Sequence, residues 1–178
     1  VALAGSAFAQ SEPIRIGARS DDAEEGASGS VNLASSDLEL IHDSTDQKVG
    51  LRFSAVAVPP GATILSAYIQ FQADEAQSAP TVLALQGQLA GSAPAFAAAA
   101  NNISSRPRTA ASVPWTPAAW TVVGETVAAQ RTPDLSALVQ EIVNRPGWAS
   151  GNAIALFCAG TGSRSAVSAD YPGGAGPV

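Results

Sequence analysis

The feature that most limits what this chain can fold into is a series of short alternating runs broken by Gly, Pro, Ser and Asn. In "ILSAYIQFQA", Leu65, Ala67, Ile69 and Phe71 face one way, and Ser66, Tyr68, Gln70 and Gln72 the other. In "LRFSAVAV", Leu51, Phe53, Ala55 and Ala57 share a face. A period of two is that of a strand with one buried side. Similar runs recur at 13–20, 31–43, 48–58, 63–75, 81–90, 120–127, 153–160 and 165–171. Seven or eight short strands at such spacing predict an all-β protein, an antiparallel jelly-roll β-sandwich.

One helix interrupts this pattern, expected over about 133–144. In "RTPDLSALVQEIVNRPGW", Thr132 reads as the N-cap, Pro133 as the first helical position and Asp134 as a charge suited to the positive helix end. Leu135, Leu138, Val139 and Ile142 follow at helical spacing, and Pro146-Gly147 stops the run. Pro-rich "RPRTAASVPWTPAAW" (106–120) reads as a long ordered loop, because strands continue beyond it.

With 178 residues and 46% apolar content, the chain can fill the core of one domain. Its net charge of −6 and scattered Lys and Arg give nucleic acid nothing to bind. No apolar run beyond the N-terminal stretch is long enough to span a membrane. Cys158, the single cysteine, lies in "AIALFCAG" and reads as a buried thiol.

Catalytic signatures are missing from the residues. His42 is the only histidine, and its neighbours Asp43 and Ser44 alternate in direction along a strand, so they do not form a triad. The chain reads as a non-enzyme. Acidic residues crowd into the first 75 positions, where Asp21, Asp22, Glu24, Glu25, Asp37 and Glu39 offer oxygens for a structural Ca²⁺. The plainer alternative is that they solubilise loops and guard strand edges. Trp115 and Trp120 either present flat indoles to a sugar ring or anchor the Pro-rich loop, while Trp148 reads as core. Asn102-Ile103-Ser104 is a glycosylation sequon on a chain whose expected bacterial secretion argues against occupancy.

Several stretches in order carry a family likeness: "IRIGARSDDAEEG", "LASSDLEL", "VGLRFSAVAVPPGATILSAYIQF", "TPDLSALVQEIVNRPGWASGNAIAL" and "SRSAVSADYPGGAGPV". Together they resemble a DNRLRE-type domain, a group that includes the family 96 carbohydrate-binding modules, over residues 13–178. The resemblance implies a secreted jelly-roll sandwich that serves as a non-catalytic binding or structural module. It also implies a further strand of alternating apolar residues where Gly176-Pro177-Val178 stands, so either the chain is cut short of that strand or another segment fills the place.

Residues 1–12 read as an extension to that domain. "VALAGSAFA" matches the end of a secretory signal peptide, closing on Ala7-Phe8-Ala9. It also matches an inserted strand, with Val1, Leu3 and Ala7 on one face and Phe8 on the other. Two functions follow. The favoured one is a secreted, pilus-like filament subunit that donates its N-terminal strand to the next copy, its partner being itself. The alternative is a cell-surface carbohydrate-binding module with a polysaccharide partner, stabilised by Ca²⁺.

Overall fold

The computed structural model describes residues 13–172 and 176–178. The strands are β1 (Asp22–Glu25), β2 (Val31–Asn32), β3 (Asp37–Glu39), β4 (His42–Asp43), β5 (Thr45–Asp46), β6 (Lys48–Phe53), β7 (Val82–Gly87), β8 (Val113–Trp115), β9 (Ile154–Thr161) and β10 (Ser165–Val167). Every pairing among them is antiparallel. Six form one sheet in the order β2-β1-β6-β9-β7-β8. β3 and β10 form the facing sheet, which Ala73 extends by bridging to Ala166. The expected all-β antiparallel sandwich with one short helix is what forms.

Alternation builds the core. Val49, Leu51, Leu83, Leu85 and Leu156 point inward from the large sheet and meet Leu38, Ile69, Phe71 and Ala166. The opposite face of the large sheet is covered as well. Ala23, Ala155 and Phe157 pack beneath Phe96 and Ile103 from the 88–112 loop. Gly50 permits this, since a Cβ there would stand 2.6 Å from the Phe96 ring. The loop itself is pinned by buried Arg106, which donates to the carbonyls of Pro94 (2.7 Å) and Ala95 (2.8 Å) and to Gln88 Oε1 (2.9 Å).

Several expected elements differ. The helix α1 spans Ser136–Val143, shorter than 133–144. Thr132 does not cap it; its hydroxyl accepts the Ile69 amide at 2.9 Å instead. Asp134 does the capping from outside, accepting the Ser136 amide at 3.0 Å. Residues 63–75 lie along the sandwich but build single bridges, at Gln70 and Ala73, in place of a ladder. Trp120 likewise bridges only to Gln77, and a short 3₁₀ turn, Ala128–Gln130, follows that region. In the other direction, "DAEE" is β1, a fully buried strand, and the Pro-rich loop contributes β8.

Candidate functional site

The described residues contain one extended apolar groove, of ≈ 800 Å³, beside the segment 63–70. One edge of that segment is saturated. Ala67 N–H donates to Asp134 Oδ1 (2.9 Å), Ile69 N–H to Thr132 Oγ1 (2.9 Å) and Phe71 N–H to the Gln130 carbonyl (2.9 Å). The carbonyls of Ala67 and Ile69 accept the amides of Leu135 and Thr132 at 2.6 and 3.0 Å. Thus "RTPDL" serves as the neighbouring strand through its side chains as much as its backbone.

The opposite edge is paired at one place. Gln70 N–H donates to the Val178 carbonyl (2.8 Å) and Val178 N–H donates to the Gln70 carbonyl (3.1 Å). Reciprocal bonds between two residues are the signature of an antiparallel pair. On its other side the tail is held by Ile16 N–H, which donates to the Pro177 carbonyl at 3.0 Å, and by Arg15, which donates to the Gly176 carbonyl at 2.6 Å. Gly176–Val178 therefore runs between residues 15–16 and Gln70. Beyond Val178 that line continues as the groove, with Ile14 on one wall and Tyr68 on the other. Among the described residues the backbone groups of Tyr68 and Ser66 have no hydrogen-bond partner.

Burial follows the same boundary. Phe71 and Ile69 are each 1% exposed, Ala67 is half-buried and Leu65 is 79% exposed. The apolar face is covered as far as the tail reaches and uncovered past it. Phe53, Val56, Ile154, Leu135 and Val139 are among the lining residues, and Arg131, stacked 4.5 Å over the Tyr68 ring, is the only charged side chain among the described lining residues.

The proposed Ca²⁺ ligands are divided by strand geometry. In β1, Asp22 and Glu24 face the second sheet, where Asp22 accepts the Ala169 amide (2.7 Å) and Glu24 the Glu39 amide (2.9 Å). Glu25 turns to the other face and accepts the amides of Ile103 (2.7 Å) and Ser104 (2.9 Å). Asp21 pairs with Arg52, and Asp37 accepts the hydroxyls of Ser35 and Ser165. Glu24 and Glu39 come together, joined by Gln47, which donates to both carboxylates (2.9 and 3.1 Å), and Asp37 lies beside Glu39. Among the described residues no three His, Cys, Asp or Glu side chains converge as a metal site.

Burial first, then the hydrogen bond that its protonated carboxyl donates to Glu39, pushes the Glu24 carboxyl up to about 9. The pair therefore holds one shared proton across neutral pH. Burial likewise pushes Asp22 up to about 6. Glu25 goes the other way: burial opposes its charge, but the Ser104 hydroxyl, the two amides and Lys48 hold it below the usual carboxylate range.

The tryptophans need correcting as sugar platforms. Trp120 is 0% and Trp115 5% exposed, both packed on Phe71 inside the sandwich, and Trp120 Nε1 donates to the Ala129 carbonyl at 2.9 Å. An indole with no free face cannot stack on a glycan, so these two anchor the loop. Asn102 is also engaged, its Oδ1 accepting from Ala97 and Arg106 at 3.0 and 2.8 Å. His42 pairs with Asp46 (2.8 Å) on the exposed β4–β5 hairpin. The strand-donating residues Val1, Leu3, Ala7 and Phe8 lie outside the described residues.

Sequence reasoning missed the groove's walls, which come from segments spread along the whole chain, and it missed Arg164. That guanidinium is 2% exposed and satisfied by carbonyls of Pro117, Ala118, Ala79 and Ser163 together with Thr81 Oγ1, with no carboxylate partner. Nothing in "GSRSA" distinguishes it from a surface arginine. Neither a protein-family model nor a curated protein matches this chain.

Proposed function

We propose that this chain is a non-catalytic, secreted structural subunit that assembles head to tail into an extracellular filament. Each copy takes the N-terminal strand Val1–Ala9 of its neighbour into the groove beside residues 63–70. The observation that supports this reading is the apolar groove beside residues 63–70, along which the backbone groups of Tyr68 and Ser66 have no hydrogen-bond partner among the described residues. An open strand edge and an uncovered apolar face are both unfavourable in water, and one inserted strand relieves both. Val1–Ala9 has no charged side chain, and nine residues reach about 30 Å when extended at ~3.3 Å each. Its contacts are heterologous, so repeated addition that does not close on itself gives open filaments.

The resemblance to DNRLRE-type domains supports the same reading, since it implies a secreted jelly-roll module and a strand in the groove's position. The carbohydrate-binding alternative loses its support with the burial of Trp115 and Trp120. Electron microscopy of the purified full chain tests the proposal. Filaments are expected, and deletion of Val1–Ala9 is expected to abolish them; compact monomers from the intact chain at all concentrations would overturn it.

A further inference from the structure

We infer that residues 63–66 form a gate along the apolar groove, latched by one side chain, Gln140 of α1, and that the gate opens while the sandwich stays folded. The latch acts on the wall of the groove and holds whatever enters it, so it stands apart from the strand-addition reading.

The two ends of the gate are fixed. On one side Trp148 Nε1 donates to the Val58 carbonyl (2.9 Å), and the turn that follows closes with the Ala62 amide donating to the Pro59 carbonyl (3.2 Å). Gly61, at φ +75°, supplies the left-handed position of that turn. On the other side Ala67 and Ile69 each give an amide and a carbonyl to the 132–135 segment. From the Ala62 carbonyl to the Ser66 carbonyl, the backbone makes two hydrogen bonds among the described residues, and both go to Gln140. Its Oε1 accepts the Ile64 amide (2.8 Å), and its Nε2 donates to the Ala62 carbonyl (3.0 Å). The carboxamide thus stands in for a neighbouring strand. Its second Nε2 hydrogen goes to Asn144 Oδ1 (3.0 Å), one helical turn on, which orients the latch.

Little else holds the segment down. The ≈ 800 Å³ groove is bounded by Thr63–Ser66 together with Phe53, Val56, Ile154 and Leu156. Thr63, Leu65 and Ser66 are exposed and Ile64 is half-buried, so the gate buries little apolar area. Regular pairing breaks here as well. The amides that face α1 are those of Ile64 and Ala67, three residues apart, where a strand would repeat every two. A segment with few buried contacts, no ladder and one latch opens at a free energy well below that of the whole fold. Ile69 and Phe71, each 1% exposed and bonded to Thr132 and Gln130, open only with the sandwich.

Hydrogen exchange with residue resolution on the full chain tests this. Ile64 is expected to exchange faster than Ile69 and Phe71, and with little dependence on added urea, because local opening exposes little surface. Gln140→Leu keeps a good helix former and removes both bonds. It is expected to speed exchange at Ile64 by about tenfold or more and to leave Ile69, Phe71 and Ile142 unchanged. Gln140→Glu keeps the acceptor for Ile64 and loses the donor to Ala62, so a smaller acceleration is expected. Equal rates at Ile64 and Ile69 in the wild type would overturn the gate, since the segment would then open only with the sandwich. Unchanged exchange at Ile64 in Gln140→Leu, or acceleration equal to that at Ile142, would overturn the latch. Strand addition is read separately at Ser66 and Tyr68, so its failure leaves the result at Ile64 intact.

Discussion

Glu24 sits 5% exposed between the two sheets, bonded to the Glu39 amide, with its proton shared across the pair. The folded protein binds that proton more tightly than the unfolded chain, whose carboxyl has the ordinary value of 4.5. Stability from Glu24 is therefore complete below that value and is lost as pH rises through about 9. Asp22 adds a smaller loss between 3.8 and about 6. Thermal melts are expected to show Tm falling from about pH 5 to about pH 9, and Glu24→Gln, which needs no proton, to flatten the fall. A wild-type Tm that rises over that range would contradict the assignment. Arg164 offers a second test at this scale. Arg164→Met would remove the donor shared by the carbonyls of Pro117, Ala118, Ala79 and Ser163 and leave the buried Pro117 carbonyl without a partner among the described residues. The loss expected in urea titrations is about 1–3 kcal/mol, from the buried acceptor left without its donor.

Among the elements, β7 and β9 show how tightly the large sheet fixes its register. Gly160 has φ +154°, and a Cβ there would stand 2.1 Å from the Val82 carbonyl. Gly160→Ala must shift one strand or break the pair, so a loss of more than about 2 kcal/mol is expected. Asp134 links the helix to the groove, accepting amides from Ser136 and from Ala67. These bonds, led by the one from Ala67, hold its carboxyl below the usual range, so its contribution is present above 3.8 and fades as pH falls through the lowered value. Asp134→Ala is expected to lower stability by about 1 kcal/mol, as lost caps do, and to loosen the groove wall. Hydrogen exchange should show faster exchange at Ala67 in that variant. Unchanged protection there would mean that Asp134 acts on the helix alone.

For the whole molecule, the proposed strand addition predicts that stability depends on what occupies the groove. Protein lacking Val1–Ala9 is expected to expose the apolar lining, which includes Phe53, Val56 and Leu65, and to bind a hydrophobic dye. Synthetic Val1–Ala9 added in trans should displace the dye and raise Tm, because a ligand that binds only the folded state stabilises it by about 2.7 kcal/mol at a hundredfold excess over Kd. A scrambled peptide of the same composition provides the control. Equal stabilisation by the two peptides would mean that the groove binds apolar chains without selecting their order.

The alternating runs were enough to determine the fold class, because a period of two allows only strands with one buried face. "LRF", "VLALQG" and "IALFC" accordingly lie within β6, β7 and β9, and the Leu138–Ile142 stripe lies in α1. Local pattern failed where a carboxylate or an amide found its partner far along the chain. "DDAEE" looks like a solvated acidic loop, yet its strand carboxylates are buried against amides of residues 169, 39, 103 and 104. Trp115 and Trp120 admit a surface or a core reading, and only packing against Phe71 decides between them. The groove is of the same kind. Alternation marks Leu65 and Ala67 as an apolar face, but whether that face is covered depends on where residues 13–16 and 176–178 lie beside it. Tertiary structure alone sets that, because the hydrogen bonds joining these segments span most of the chain.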